Sequence, residues 1–71
     1  MDYIIYTEII NSNGIERWYY GADFRTRANE LAMELGSTYD PEARERISHC
    51  VCKASDAESL GIKNLYNNGI F

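Results

Sequence analysis

The sequence lacks the features that mark secreted and membrane proteins. Its 71 residues include two cysteines, too few for the disulfide scaffold of a small secreted domain. No apolar run reaches the roughly 20 residues that a membrane-spanning helix needs, and no secretory leader pattern precedes the first strand-forming residues. These absences predict a cytoplasmic protein that has free thiols and no contact with a membrane.

Positive charge is also scarce, with 7 Lys and Arg against 11 Asp and Glu, for a net charge of -4. Binding to a nucleic-acid backbone requires a basic stripe, so this balance argues against nucleic acid as the main partner. The length predicts one domain over residues 1–71. A domain this small buries only roughly 60% of its unfolded surface, and it often needs a partner chain for stability.

Groups that could perform chemistry are equally few. Cys50 and Cys52 alternate with His49 in a predicted strand, which places the two thiols on one face and the imidazole on the other. A tetrahedral metal site would need a second ligand pair, and nucleophilic catalysis would need a base on the same side. The sequence therefore predicts no catalytic residue, no metal and no cofactor.

The clearest pattern that is present runs from Gly14 to Gly36. Asn13-Gly14 is a typical hairpin turn, which joins a strand over Asp2–Ile10 to a returning strand over Ile15–Tyr20. With these turn residues Ile9 faces Trp18. A four-residue loop would shift the register by two and keep the same side chains on each face, whereas a three-residue loop would swap the faces. An amphipathic helix follows, with Asp23 as the predicted N-cap and Gly36 as its end. Its apolar stripe is Phe24, Ala28, Leu31, Ala32 and Leu35.

The second half of the chain predicts one more strand and one more helix. Asp40-Pro41 suggests a helical turn or a charged loop, and Arg46–Ala54 alternates as a strand does. That strand follows a helix, so it can run parallel to the hairpin through a right-handed crossover. Ser55 and Glu58 form a capping-box pattern for a helix to about Tyr66, which Asn67–Gly69 would end.

Together these elements predict an α+β fold in the order ββ-α-β-α, with a three-stranded sheet packed against one or two helices. The first helix can cover only one face of the hairpin, and Ile5, Ile9 and Trp18 make the better floor for it. The opposite face is then a candidate partner-binding surface, made of Ile4, Tyr6, Ile10, Arg17 and Tyr19. The alternative is that the C-terminal helix covers that face.

Two arginines offer a second candidate site. Arg25 and Arg27 lie in the first turns of the predicted helix, where the helix dipole disfavours cations. Together with the aromatic residues of the preceding strand they could bind a small anion or a nucleic-acid phosphate. The simpler alternative is that Arg27 pairs with Glu30 and that Arg25 faces water.

The predicted function is a non-enzymatic protein-binding module that self-associates, as a homodimer, and regulates or inhibits a larger partner. The apolar second sheet face and the shortage of catalytic groups lead to this hypothesis. The alternative function is nucleic-acid or small-anion binding through Arg25 and Arg27. In its length and general mix of residues the chain is similar to many short proteins carried by phages and other mobile elements.

Overall fold

The computed structural model describes residues 2–65. In chain order the elements are β1 Tyr3–Asn11, β2 Gly14–Asp23, α1 Arg25–Leu35, β3 Ser37–Asp40, β4 Glu45–Lys53 and a 3-10 turn Ala54–Asp56. The predicted α+β class is confirmed, but the sheet has four strands rather than three, in the order β2-β1-β4-β3. Each neighbouring pair of strands is antiparallel.

The first hairpin turns one residue earlier than Asn13-Gly14 would give. Asn11 pairs with Gly14, so the loop residues are Ser12 and Asn13. The Asn11 side chain accepts a hydrogen bond of 2.9 Å from the Asn13 amide, which stabilises a loop that begins at Ser12. Gly14 adopts a φ of 126°, which a residue with a side chain would rarely accept. Thr7 rather than Ile9 faces Trp18, and each face keeps its predicted side chains there.

A β-bulge interrupts the hairpin at Tyr20. Tyr6 pairs with Tyr19 and Ile5 pairs with Gly21, which leaves Tyr20 as the extra residue of β2. The Tyr20 ring makes an edge-on contact with the His49 ring at 5.9 Å between centroids. Past the bulge the pairing changes phase, so that Ala22 lies opposite Ile4.

Helix α1 ends where the sequence predicts and begins two residues after Asp23. Gly36 has a φ of 64°, and its amide donates to the Ala32 carbonyl at 3.0 Å. Phe24 occupies the N-cap position, and the Asp23 carboxylate accepts only the Phe24 amide. The Phe24 side chain is 66% exposed and lies outside the core, because it precedes the first helical turn instead of belonging to the stripe.

The buried side of α1 packs over β4 and β1. Ala28 is fully buried, and so is Ile5 on the sheet, as predicted for the floor beneath the helix. Ile9 and Trp18, the other two predicted floor residues, are only half-buried. The Nδ1 atom of His49 lies 2.8 Å from the Gly36 carbonyl oxygen, which ties the end of α1 to β4.

The segment between α1 and β4 forms a strand that the sequence pattern did not predict. Residues Ser37–Asp40 form β3, and a turn over residues 41–44 joins it to β4. The Asp40 carboxylate caps this turn by accepting the amides of Glu42 and Ala43. Because this hairpin reverses the chain once more, β4 runs antiparallel to β1, and the predicted parallel crossover is wrong.

The predicted helix from Ser55 onward does not form within the described residues. After the 3-10 turn the chain makes further turns up to Gly61 and then continues without a helix to Leu65. The 3-10 turn begins after Lys53 and includes Ser55, so Ser55 is not the N-cap that the capping box requires. Gly61 and Asn64 have φ values of 67° and 64°, which a right-handed helix cannot contain. The predicted helix end, Asn67–Gly69, lies outside the described residues.

We call residues 57–65 the strap, because they cross the face of the sheet opposite α1. Three strap residues, Ala57, Ile62 and Leu65, are buried. They form one apolar cluster with Ile4 and Tyr6 of β1. The sheet is therefore covered by α1 on one face and by the strap on the other.

Candidate protein-binding surface

The strap covers much of the surface that the sequence predicts for a partner. Ile4 is 1% exposed and Tyr6 is 8% exposed, so neither is available at the surface. Tyr19 is half-buried against the same cluster. Burial raises the pKa of the Tyr6 hydroxyl, with smaller contributions from Cys50 and Glu8, and burial also raises the pKa of Tyr19. The expectation of an open face is thus corrected for these three residues.

Arg17 belongs to the attachment of the strap. Its Nε atom forms an ion pair with Glu8 at 3.0 Å, and its Nη1 atom donates to the Leu60 carbonyl at 3.0 Å. Both charged side chains are mostly buried, with exposed fractions of 28% and 19%. The guanidinium therefore connects β2 to β1 and to the strap.

The strap also pairs with the outer edge of β2. The Lys63 amide donates to the Arg17 carbonyl at 2.7 Å, and the Tyr19 amide donates to the Lys63 carbonyl at 2.9 Å. The Lys63 ammonium lies 3.1 Å from the Glu16 carboxylate and 4.9 Å from the centre of the Trp18 ring. Hydrogen bonds from Lys63 and Trp18 lower the pKa of Glu16. Trp18 thus supports a cation–π contact at this edge.

On the same face, one further row of side chains is not buried by any of residues 2–65. Ile10 pairs with Ile15 on one side and with Arg46 on the other, and Arg46 pairs with Tyr39. Directly opposed residues share a face, so these four side chains form a row across all four strands, which we call the distal row. The exposed fractions of Ile10, Ile15 and Tyr39 are 38%, 55% and 54%.

The distal row combines the side chains that protein interfaces favour. The Arg46 guanidinium lies 5.3 Å from the centre of the Tyr39 ring, which holds both side chains across β3 and β4. Aromatic residues and arginine are enriched at protein contacts. The next row toward the strap is polar and separates the distal row from the buried cluster; it consists of Arg17, Glu8, Ser48 and Ser37.

Of the predicted surface, only Ile10 belongs to the distal row. Ile15 and Arg46 lie in strands that the sequence predicted, but they were not assigned to the partner-binding surface. Tyr39 was missed because Ser37–Asp40 was not predicted to join the sheet. The adjacent β-branched and aromatic residues Thr38 and Tyr39 were the available signal for a strand.

Arg25 and Arg27 are exposed, and the surroundings of Arg27 do not suit an anion. Arg27 lines a shallow depression together with three carboxylates, those of Asp23, Glu30 and Glu34. Neither guanidinium forms an ion pair with any of residues 2–65. The predicted Arg27–Glu30 pair is therefore not observed, and nearby negative charge would repel a phosphate.

The cysteines lie on one face and His49 on the other, as the alternation predicts. Cys50 and Cys52 pack beside the strap cluster, and both thiols are free. Burial is the main cause of the raised pKa of each thiol, which leaves little thiolate near neutral pH. Among residues 2–65 no cluster of potential ligands could hold a metal ion.

Comparison of the chain with protein-family models, curated proteins and solved structures gave no match. Within the described part of the chain, no helix has the length and apolar character needed to cross a membrane.

Proposed function

We propose that the protein is a non-enzymatic, cytoplasmic protein-binding module that self-associates and regulates or inhibits a larger partner. The observation that carries this proposal is the distal row, in which Ile10, Ile15 and Tyr39 are exposed next to Arg46. Helix α1 lies on the opposite face, and the residues of this row do not belong to the cluster that the strap buries. The row is therefore apolar surface that no described residue covers.

The arrangement of the remaining polar groups supports a binding role rather than catalysis. His49 contacts the Gly36 carbonyl and the Tyr20 ring, on the face opposite the thiols. Glu8 and Arg17 pair with each other. These groups hold the fold together, and none of them forms a nucleophile–base pair of the kind that covalent catalysis requires.

A pull-down from the native host with single-residue variants tests the proposal. The bait is the full chain, compared with Ile15→Glu and Tyr39→Glu in the distal row. Both positions are exposed, so the variants should retain the far-ultraviolet circular dichroism of the parent. We expect a protein that the parent chain retains and that both variants lose, because a charge in an apolar contact must be desolvated on binding.

Thr26→Glu is the matched control, since it adds the same charge at an exposed position of α1. This variant should retain the captured protein, and titration of the purified pair should reproduce the ranking of the variants. Equal capture by the parent and by both distal-row variants would contradict a binding role for this row.

A further inference from the structure

The second half of β4 has an outer edge with which no other described strand pairs, and we call it the open edge. The pairing of β3 with β4 ends at Ser37 and Ser48, so β3 does not reach the last five residues of β4. The Ala54 amide bonds to the Asp2 carbonyl, which makes Tyr3 and Lys53 a non-hydrogen-bonded pair of the β1–β4 ladder. By the same alternation, the backbone groups of Val51 and Lys53 point away from β1.

These outward groups have no hydrogen-bond partner within residues 2–65. Beside them lies a groove of about 480 Å³ between α1 and β4. Its lining includes Ala32, Met33 and Val51, and the Met33 side chain is 82% exposed. An unpaired strand edge next to an exposed methionine is a surface on which another strand could be added.

We propose that a second copy of this chain occupies the open edge, with the two β4 strands pairing antiparallel about a two-fold axis. Val51 of each copy then pairs with Lys53 of the other, and these are the residues whose outward groups lack partners. The arrangement is self-complementary, as a two-fold interface requires. Each of the two pairs exchanges two backbone hydrogen bonds.

This register is set by the limits of the open edge. Pairing Val51 with itself would place Ala54 of one copy where Ser37 of the other already lies beside Ser48. Pairing Val51 with Lys53 leaves about two residues of space between these segments. The sheets of the two copies become continuous, and both α1 helices lie on one face with the groove and Met33 enclosed between them.

The two-fold axis passes beside Cys52, so Cys52 of one copy lies opposite Cys52 of the other copy. The two residues form a non-hydrogen-bonded pair. Such pairs have Cα atoms about 4.5 Å apart, within the range of about 4.4–6.8 Å that a disulfide spans. Cys50 of one copy has no thiol opposite it, because it faces Ala54 of the other. The proposal therefore assigns different behaviour to two similarly half-buried thiols.

Oxidation by diamide distinguishes these thiols. Two thiols lose two electrons and two protons to one diamide molecule, which becomes the corresponding hydrazine. We expect the parent chain and Cys50→Ser to form a covalent dimer, and Cys52→Ser to remain monomeric on a non-reducing gel. Equal cross-linking of both single variants would show random collision, and cross-linking through Cys50 alone would exclude this register; either result overturns the proposal.

Sedimentation equilibrium provides the non-covalent test. The parent should dimerise and Met33→Glu should be mostly monomeric, with an unchanged circular dichroism spectrum because residue 33 is exposed. The two Lys53 side chains become diagonal neighbours about 7–8 Å apart, so salt and Lys53→Gln should both tighten the dimer. A parent chain that stays monomeric, or a dimer that Met33→Glu leaves intact, overturns the proposal.

The inference rests on the self-association in the proposed function but uses another part of the sheet. Ile15→Glu changes the distal row and leaves the open edge of β4 intact. This variant should dimerise like the parent while it loses the captured partner. If the chain dimerises but captures no partner through the distal row, only the proposed β4 dimer is supported. If the chain captures a partner but stays monomeric, only the partner-binding proposal is supported.

Discussion

The two ends of the sheet contain the same kinds of residues in opposite environments. Ile4 and Ile5 of β1 are each 1% exposed, because the strap covers one and α1 covers the other. Six residues further along the same strand, Ile10 is 38% exposed and its cross-strand neighbour Ile15 is 55% exposed. Alternation within a strand decides which face a side chain joins, but only distant segments decide whether that face is covered.

This difference divides the molecule by role. The covered end contains the apolar clusters and the ion pair of Arg17 with Glu8, so it supplies most of the folding free energy. The distal end consists of two hairpins that run past both covering layers, linked by the Asn11 amide donating to Glu45 at 3.1 Å. Apolar residues there add little to stability and remain available for contact with another molecule.

The largest expected effect separates two isoleucines. Ile4→Ala should lower the free energy of unfolding by about 2–5 kcal/mol, because it removes buried methyl groups and leaves a cavity. Ile15→Ala should change it by about 0.5 kcal/mol or less, since the side chain is more than half exposed. Urea unfolding followed by circular dichroism measures both values. Similar losses for the two variants would mean that the distal end is also part of the core.

The attachment of the strap should show the next largest effect. Arg17→Ala removes the ion pair with Glu8 and the donor to the Leu60 carbonyl, and we expect a loss of about 1–3 kcal/mol. Freed strap residues should also expose the neighbouring thiols, so Cys50 and Cys52 should react faster with a thiol reagent. Arg44→Ala, at an exposed turn, is the control. Unchanged thiol reactivity would show that Arg17 does not hold the strap.

Local patterns in the sequence predicted the local elements well. The hairpin, the end of α1 at Gly36 and the strand character of β4 all follow from short-range preferences for turns, caps and alternation. They required no knowledge of distant contacts. The predicted floor under α1 was right at Ile5 for the same reason, since alternation placed that residue on the correct face.

The errors arose where distant contacts override local preference. Ser55 and Glu58 have the spacing of a capping box, yet the chain turns at Gly61 so that Ile62 and Leu65 reach the cluster around Ile4. Burial of those two side chains outweighs a helix whose capping contributes about 1 kcal/mol. For this reason the strap buries much of the predicted partner-binding surface, and the distal row is exposed instead. The strap has no helical or strand periodicity, so the sequence pattern could not predict that it covers the sheet.

Alkaline pH should weaken the covered end selectively. Burial raises the pKa of Tyr6, Cys50 and Cys52 above their ordinary values near 10 and 9, so the folded chain holds these protons more tightly than the unfolded chain. Stability is therefore complete below about pH 8 and falls as the pH rises through 9 toward the native pKa values. Urea midpoints across this range should decline less in the double variant Cys50→Ser/Cys52→Ser. A flat profile in the parent would contradict the burial of these groups.

The smallest effect is expected at Lys63, where the strap meets the edge of β2. Lys63→Ala removes an exposed ion pair with Glu16 and an exposed cation–π contact with Trp18 but keeps both backbone hydrogen bonds. Exposed interactions of these kinds contribute little to stability because water screens them, so the urea midpoint should shift only slightly. The emission of Trp18, the single tryptophan, should change because the ammonium leaves its ring. Lys63→Arg is the control and should preserve both contacts. If Lys63→Ala lowered the free energy of unfolding as much as Arg17→Ala does, side-chain charge would hold the strap, rather than backbone pairing and buried apolar contacts.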